Sequence, residues 1–505
     1  MMDFFESRTV VIILCMTMLV AAIVFRLKSR SWSNPSVVFA LFWFGMTLLP
    51  VLAVPQIEAS PRAIGYILSA IVAFGLPVFF WNWVPLVATA KARAGQVNPI
   101  LSSNYFLLLF ILVELIIFAT IALNVKVQGF PISTLLSDPF KVGCEFLMLR
   151  YRGEVISNVY SQLATVLNYV AAPIAGLMVA NRKSFVVSAV IVFICLVPSI
   201  MSMVLYGDKG TVFLSMALFY GSVVVGRIQN GNVALLTWRS VASAPLLLVF
   251  IAAFIALALI NRESATCEDR TVAVVQALGS NIEAPQNDYG GGSRFGINIR
   301  SYAFAHIFAF SDWFDHWLSG EAFSSNIVVL PKNSYTLPTK MTQQDQTYTN
   351  PSSIKYGFWT FMAVGKMVDK EYYNSLPLGY YGEYYRKPGI LQTNIYTFFR
   401  GFIYDFTIVG SLVLMLAFGL FMNFMYKNML IGSKYAYSQV AYIYFAGCLY
   451  TSYIISLLIW TSVYASAILL VVLMIFINYF EMLDKLSTVA RFLPSGWLTT
   501  KGGRS

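Results

Sequence analysis

The sequence is poor in charge. Only 11% of its 505 residues are Asp, Glu, Lys or Arg, less than half the roughly 25% of a soluble domain, which excludes an ordinary water-soluble globule. Histidine is rarer still: His306 and His316 are the only two, and neither is spaced with cysteine as a metal-ligand set. Of five cysteines, Cys15, Cys195 and Cys448 fall in apolar runs, where a thiol is ordinary packing. The remaining pair, Cys144 and Cys267, permits one disulfide without requiring it. No carboxylate cluster has ligand spacing either, so the expectation is no metal and no cofactor.

What the sequence has instead is apolar length. Hydrophobic residues make up 58% of it, and runs of about 20 recur, each long enough to cross a hydrocarbon core of roughly 30 Å. Eleven spans are expected: Thr9–Phe25, Pro35–Val54, Ala63–Ala88, Asn104–Leu123, Ser157–Ala180, Phe185–Tyr206, Thr211–Gly226, Val241–Ile260, Phe402–Met425, Tyr437–Trp460 and Val463–Tyr479. The fold class is therefore an all-α polytopic membrane protein. Residues 1–260 hold the first eight spans, 261–400 one large polar loop, 401–480 the last three spans and 481–505 a tail. The first span follows acids rather than bases (Asp3, Glu6) and lacks a small-residue cleavage site, so it reads as a retained helix.

Acid is nearly absent from alternate connections. The segments after spans one, three, five, seven, nine and eleven carry 15 Lys/Arg and only Glu481 and Asp484 as acids. The intervening short connection PQIEAS, with Arg62 adjacent, is almost free of positive charge. The positive-inside bias then puts the N-terminus outside, the C-terminal tail in the cytoplasm and Asn261–Arg400 outside. The net charge of +11 needs no nucleic-acid partner, because much of it is this bias. The other 19 of the 34 basic residues lie outside, where they serve no topological purpose and are free to meet an anion.

Two external segments carry pattern. Asn124–Asn158 includes the amphipathic FKVGCEFLMLRYRGE, ending in Arg150 and Arg152. In the large loop, SYAFAHIFAFSDWFDHWL places Ala303, Ile307, Phe310, Phe314 and Trp317 on one helical face, with Asp312, Asp315 and His316 pointing away. This segment reads as a helix lying in the outer interface, as does Ile354–Val368, with His306 as an interfacial packing residue. Further on, Tyr372, Tyr373, Tyr380, Tyr381, Tyr384 and Tyr385 cluster in EYYNSLPLGYYGEYYRKPG. Tyrosines anchor membrane interfaces, and their faces also stack on the C–H faces of sugars; both readings stand.

The segment TNIYTFFRGFIYDFTIVGSLVLMLAFGLFMNFMY, Thr393–Tyr426, carries an Asn, a Tyr-Thr, an aromatic run with a basic residue, then Asp and Gly entering a helix: Asn394, Tyr396, Thr397, Arg400, Asp405 and Gly410. It resembles the end of the large periplasmic loop and the following helix in Wzy-type O-antigen and oligosaccharide repeat-unit polymerases. KYGFWTF (Lys355–Phe361) and the tight GDKG between spans six and seven resemble two further elements of that family, although it often has arginine where this chain has Lys209. The architecture matches over nearly the whole chain; the motifs are short.

That resemblance implies a glycosyltransferase of the bacterial inner membrane, acting at the periplasmic face on undecaprenyl-diphosphate-linked oligosaccharides, with membrane lipids, a chain-length regulator and a flippase as associates. Breaking a glycosidic bond to diphosphate develops charge on the leaving oxygens, which preorganised cations stabilise. The candidates are Arg400 and Lys209, then Arg294 and Arg300 flanking the interfacial helix. Tyr380, Tyr381, Tyr384 and Tyr385 are the sugar-binding candidates. The acceptor hydroxyl needs a base: Asp405 is the first candidate, with a helix N-terminal contact as its other reading, and Asp312, Asp315 and Glu321 stand behind it. In a helix running from Arg400, Asp405 at i+5 does not share its face. Glu114, in the middle of the fourth span, reads as a hydrogen bond to a neighbouring helix or as a functional carboxyl. An O-antigen ligase, which shares the donor, and a lipid-linked oligosaccharide flippase are the alternatives. The long external loop argues against the flippase, and the Asn394–Gly410 pattern favours the polymerase.

Overall fold

The structure is a computed structural model and describes residues 2–152, 154–206, 209–235, 294–320, 327–329, 357–370, 383–387, 391–393, 395–432 and 435–492. The helices are α1 (Met2–Ser29), α2 (Pro35–Ala53), α3 (Pro61–Gly75), α4 (Trp83–Lys91), α5 (Pro99–Ser102), α6 (Asn104–Val127), α7 (Ile132–Ser137), α8 (Pro139–Arg152), α9 (Val159–Ala180), α10 (Phe185–Tyr206), α11 (Lys209–Gln229), α12 (Arg294–Ser319), α13 (Met362–Val368), α14 (Phe398–Ile431), α15 (Ala436–Ser452) and α16 (Thr461–Phe492). Among the described residues nine helices are long and apolar enough to cross a membrane, and each coincides with an expected span. The eighth expected span, Val241–Ile260, lies outside the described residues. The chain is an all-α polytopic membrane protein, apart from a small antiparallel sheet of β1 (Ile327–Val329), β2 (Glu383–Lys387) and β3 (Leu391–Thr393), which pairs Tyr385 with both Ile327 and Thr393.

Three spans differ from their expected course, each for a local reason. The third does not run unbroken to Ala88. Helix α3 tightens into a 3-10 turn at Leu76–Phe80, where Pro77 lacks the amide that a continuing helix needs, and α4 begins afresh with the Asn82 side chain accepting from the Val84 amide at 3.3 Å. The tenth is a 17-residue helix followed by a 3-10 turn at Leu457–Ile459. Packed between α11, α14 and α16, α15 meets protein rather than lipid, so it tolerates buried Ser438, Gln439 and Thr451. The ninth starts earlier than Phe402, at Phe398, and breaks at Thr407, whose φ of 62° and ψ of 179° are not helical.

Small and polar residues join the spans, as expected where lipid gives helices no hydrophobic reason to associate. At Gly176 and Gly419 a Cβ would run into the carbonyls of Phe219 and Phe74 respectively, so α9 meets α11, and α14 meets α3, at backbone range. Asn34 donates to Asn423 Oδ1 at 3.1 Å, and Asn423 donates to Ser36 Oγ at 2.9 Å.

The bundle has two distinct ends. At one, the segments following α1, α4, α9, α11 and α14 interlock. Ser33 Oγ bonds both the Val233 carbonyl and the Tyr426 hydroxyl, each at 2.9 Å. Arg93 donates to the Met429 carbonyl at 3.1 Å, and Asn98 joins Asn181 and Glu481 at 2.8 and 2.7 Å. These are the connections with the basic excess. At the other end Ser60 donates to Asp315 at 2.8 Å, and Ser456 donates to the Thr360 carbonyl at 3.0 Å. The alternation read from charge is thus an alternation of ends.

Helix α12 corrects the expectation of a surface helix. Every residue from Ala305 to Ser311 is buried, because α12 packs on α2, α3 and β3 rather than showing one face to lipid. His306 is fully buried and bonds the Met46 carbonyl through Nε2 at 3.0 Å. Of Ile354–Val368, the described part is a turn at 357–360 followed by the short helix α13, with Phe358, Trp359 and Met362 buried and Met367 and Val368 exposed.

Candidate functional site

The site is built on the first turns of α14. Thr397 (φ 72°) precedes the helix and Thr407 (φ 62°) interrupts it, both in a region that β-branched residues rarely adopt. The short helical piece between them, which carries Arg400, Tyr404 and Asp405, is therefore held at each end by strained backbone. Such strain persists only where surrounding structure over-determines it, and it concentrates at functional sites.

Arg400 is fully buried. Its guanidinium carbon lies 4.3 Å from the Tyr396 ring centroid, 5.1 Å from that of Trp313 and 5.2 Å from that of Tyr404. Nη2 donates to the Tyr404 hydroxyl at 3.0 Å, and the same oxygen accepts from Trp313 Nε1 at 2.8 Å. A buried cation costs several kcal/mol of desolvation. Three electron-rich faces, each contributing roughly 0.5–2 kcal/mol, offset part of that cost. The cage thus holds a positive charge in a dry, fixed position.

Asp405 points elsewhere, as its i+5 spacing anticipates. Its Oδ2 accepts the Thr360 amide at 2.8 Å and its Oδ1 the Trp359 amide at 3.4 Å. The carboxylate ties α14 to the turn at 357–360, whose first residue, Gly357, has φ 82°. Trp359 in turn stacks near Tyr404, with centroids 5.5 Å apart, so the turn also forms part of the wall around the cage.

The remaining candidates divide. Lys209 and Arg294 are the first residues of α11 and α12, and their side chains lie outside the described residues. Arg300 is exposed on α12; since α12 begins at Arg294, the two arginines lie within this helix rather than flanking it. Tyr380, Tyr381 and Glu321 lie outside the described residues. Tyr384 sits on β2 with only its backbone described. Tyr385, also on β2, is buried and presents no face to solvent; burial and then the nearby Asp312 push its pKa up. Glu114 is buried, and among the described residues neither carboxyl oxygen is hydrogen-bonded.

Sequence reasoning missed the cage as a unit, although Tyr404 at i+4 from Arg400 was readable as a shared helical face. Trp313 was not readable, since the Trp313–Tyr404 bond spans 91 residues. Also unforeseen is an open pocket of about 530 Å³ at the same end, lined by Ser60, Arg62, Asp315, His316 and Ser319. It places a cation, a carboxylate and an imidazole where a ligand can reach them.

No family model, curated protein or solved structure matches the chain.

Proposed function

We propose that this protein is a membrane glycosyltransferase that polymerises undecaprenyl-diphosphate-linked oligosaccharide repeat units into a surface polysaccharide. The observation that supports this best is the meeting of two segments that carry the resemblance. Asp405, from Thr393–Tyr426, accepts the amides of Trp359 and Thr360, from Lys355–Phe361. Motifs that lie apart in the chain are joined beside the caged Arg400.

In this reading the acceptor hydroxyl of one lipid-linked unit attacks the anomeric carbon of the growing glycan. A new glycosidic C–O bond forms, the bond from that carbon to the carrier's diphosphate oxygen breaks, and undecaprenyl diphosphate leaves with the electron pair. Arg400 supplies positive charge for the leaving diphosphate. Arg300, with Lys209 and Arg294, draws the anionic headgroups toward the site. Because both Asp405 oxygens accept backbone amides, its role is to orient the Trp359–Thr360 turn. The hydroxyl proton then passes to a carboxylate or imidazole in the open pocket, Asp315 or His316. The basic end faces the cytoplasm and the Arg400 end the periplasm of a bacterial inner membrane, following the positive-inside bias.

The test is the surface-glycan ladder of a strain lacking the protein. Loss of all long chains with retention of one-repeat units is the polymerase outcome. Loss of every capped form would instead assign a ligase or a flippase.

A further inference from the structure

The basic end of the bundle carries an open pocket of about 680 Å³ that no step above uses. Among the described residues Arg26, Arg30, Lys91 and Arg227 line it, together with Trp32 and Asn230, and no Asp or Glu does. A single cation at a helix C-terminus is ordinary, since it meets the negative end of the helix dipole, and Arg26, Lys91 and Arg227 each satisfy that description. The dipoles do not account for cations from three separate segments, at the ends of α1, α4 and α11, converging on one cavity.

The walls are also fixed rather than loosely solvated. Ser31 and Ser33, in the turn after α1, both bond the Val233 carbonyl, at 3.2 and 2.9 Å, and both bond the Tyr426 hydroxyl. Asn230 donates to the Ala180 carbonyl at 3.1 Å. Gly231, at φ 84°, lies so close to the backbone of Ala94 that a Cβ would collide with it. These contacts staple the turns after α1, α4 and α11 to one another, which preorganises the cations.

We propose that this pocket binds a phosphate-bearing anion at the end of the molecule opposite the caged Arg400. Three arginine forks and a lysine suit phosphate oxygens, the volume falls within the range of ligand pockets, roughly 300–1,000 Å³, and half-exposed Trp32, under the Arg26 guanidinium at 5.3 Å, suits the level of lipid headgroups. Two sources share this chemistry: an anionic lipid headgroup and a free phosphate or diphosphate. The proposal is independent of the glycosyltransferase reading, and its test uses no enzymatic activity.

The full-length protein is purified into nanodiscs of phosphatidylcholine and titrated with inorganic pyrophosphate while thermal unfolding is followed. In a second arm, discs containing phosphatidylglycerol are analysed by native mass spectrometry for retained lipid. The comparison is with the double variant Arg30→Asn/Lys91→Gln, in which asparagine accommodates the positive φ of 57° at position 30, and with Lys28→Gln, an exposed neighbour that does not line the pocket. Wild type and Lys28→Gln are expected to respond alike, and the double variant to lose about tenfold in half-saturating concentration or in retained lipid. A response confined to pyrophosphate identifies a free anion as the ligand, and one confined to phosphatidylglycerol identifies a headgroup. Equal behaviour of wild type and the double variant in both arms overturns the proposal, as does an equal loss in Lys28→Gln.

Discussion

Asp405 is bound to Thr360, 45 residues upstream, through a 2.8 Å hydrogen bond from the Thr360 amide to Oδ2. The carboxylate is buried and accepts a second amide from Trp359, so it acts as the clasp between α14 and the preceding turn. A clasp and a base respond differently to Asp405→Asn, which keeps one carbonyl acceptor but cannot take up a proton. The clasp reading predicts that Asn retains much of the long-chain glycan. Asp405→Ala strands two buried amides at about 1–3 kcal/mol each and should lower both thermal stability and chain length. An Asn variant that is folded, abundant and as inactive as Ala would return Asp405 to the role of base.

The thiols give a covalent check. Cys144 on α8 is disulfide-bonded, whereas Cys15, Cys195 and Cys448 are free; Cys267 lies outside the described residues. Mass spectrometry of non-reduced peptides should recover Cys144 linked to Cys267, as thiols on an oxidising face permit. Recovery of both as free thiols would count against that pairing.

Sidedness is tested by reporter fusion. The connections rich in Lys and Arg meet at one end, as the Ser33–Val233, Arg93–Met429 and Asn98–Asn181 bonds show. A phosphatase fused after Gln343 should be active, and one fused after the C-terminus inactive. Activity at both would break the eleven-span topology.

Much of this was legible because a membrane restricts the choices. Apolar runs near 20 residues and the bias of Lys and Arg located nine spans that the structure reproduces. The start of α14 at Phe398 rather than Phe402 was not legible, since Arg400 makes FFRG look like the end of the loop until Trp313 is brought against it. Amphipathicity likewise marked α12 as a helix but could not say whether its apolar face met lipid or protein. Burial of Ala305, Ile307 and Phe310 comes from α2 and α3, which no local pattern reports. Thr407 is a poor helix former but no breaker by itself; its positive φ reflects the anchoring on either side.

His306 makes stability depend on pH in a definite window. It is enclosed by α2, bonds the Met46 carbonyl and meets Tyr453 edge-on at 5.3 Å. Burial lowers its pKa from 6.5 to about 4, with the Met46 bond opposing. The unfolded chain therefore takes up a proton before the folded one, so this contribution is whole above pH 6.5 and is lost as pH falls toward about 4. Thermal unfolding of wild type should weaken across that window more steeply than that of His306→Gln, which does not titrate there. Parallel curves would show that the imidazole is protonated or solvated in the folded protein.

Arg400 carries the decisive test of the cage. Its charge is held by the faces of Tyr396, Trp313 and Tyr404 and by the Tyr404 hydroxyl. A lysine keeps the charge but lacks the planar fork that stacks on rings and spans two phosphate oxygens, so Arg400→Lys should lose about tenfold or more in long-chain glycan. Arg400→Ala should abolish long chains while leaving one-repeat units and protein level intact. Tyr404→Phe separates structure from charge, because it preserves the ring while withdrawing the oxygen that accepts from both Arg400 and Trp313. Loss of that acceptor costs about 1–3 kcal/mol per stranded donor, which should appear as a lower unfolding temperature with partial activity. If Arg400→Ala destabilises no more than Tyr404→Phe yet eliminates long chains, the charge itself serves the reaction. Normal chain length in Arg400→Ala at wild-type abundance would make the cage purely architectural and move the search for the diphosphate-binding cation to Lys209, Arg294, Arg300 and the open pocket at Arg62.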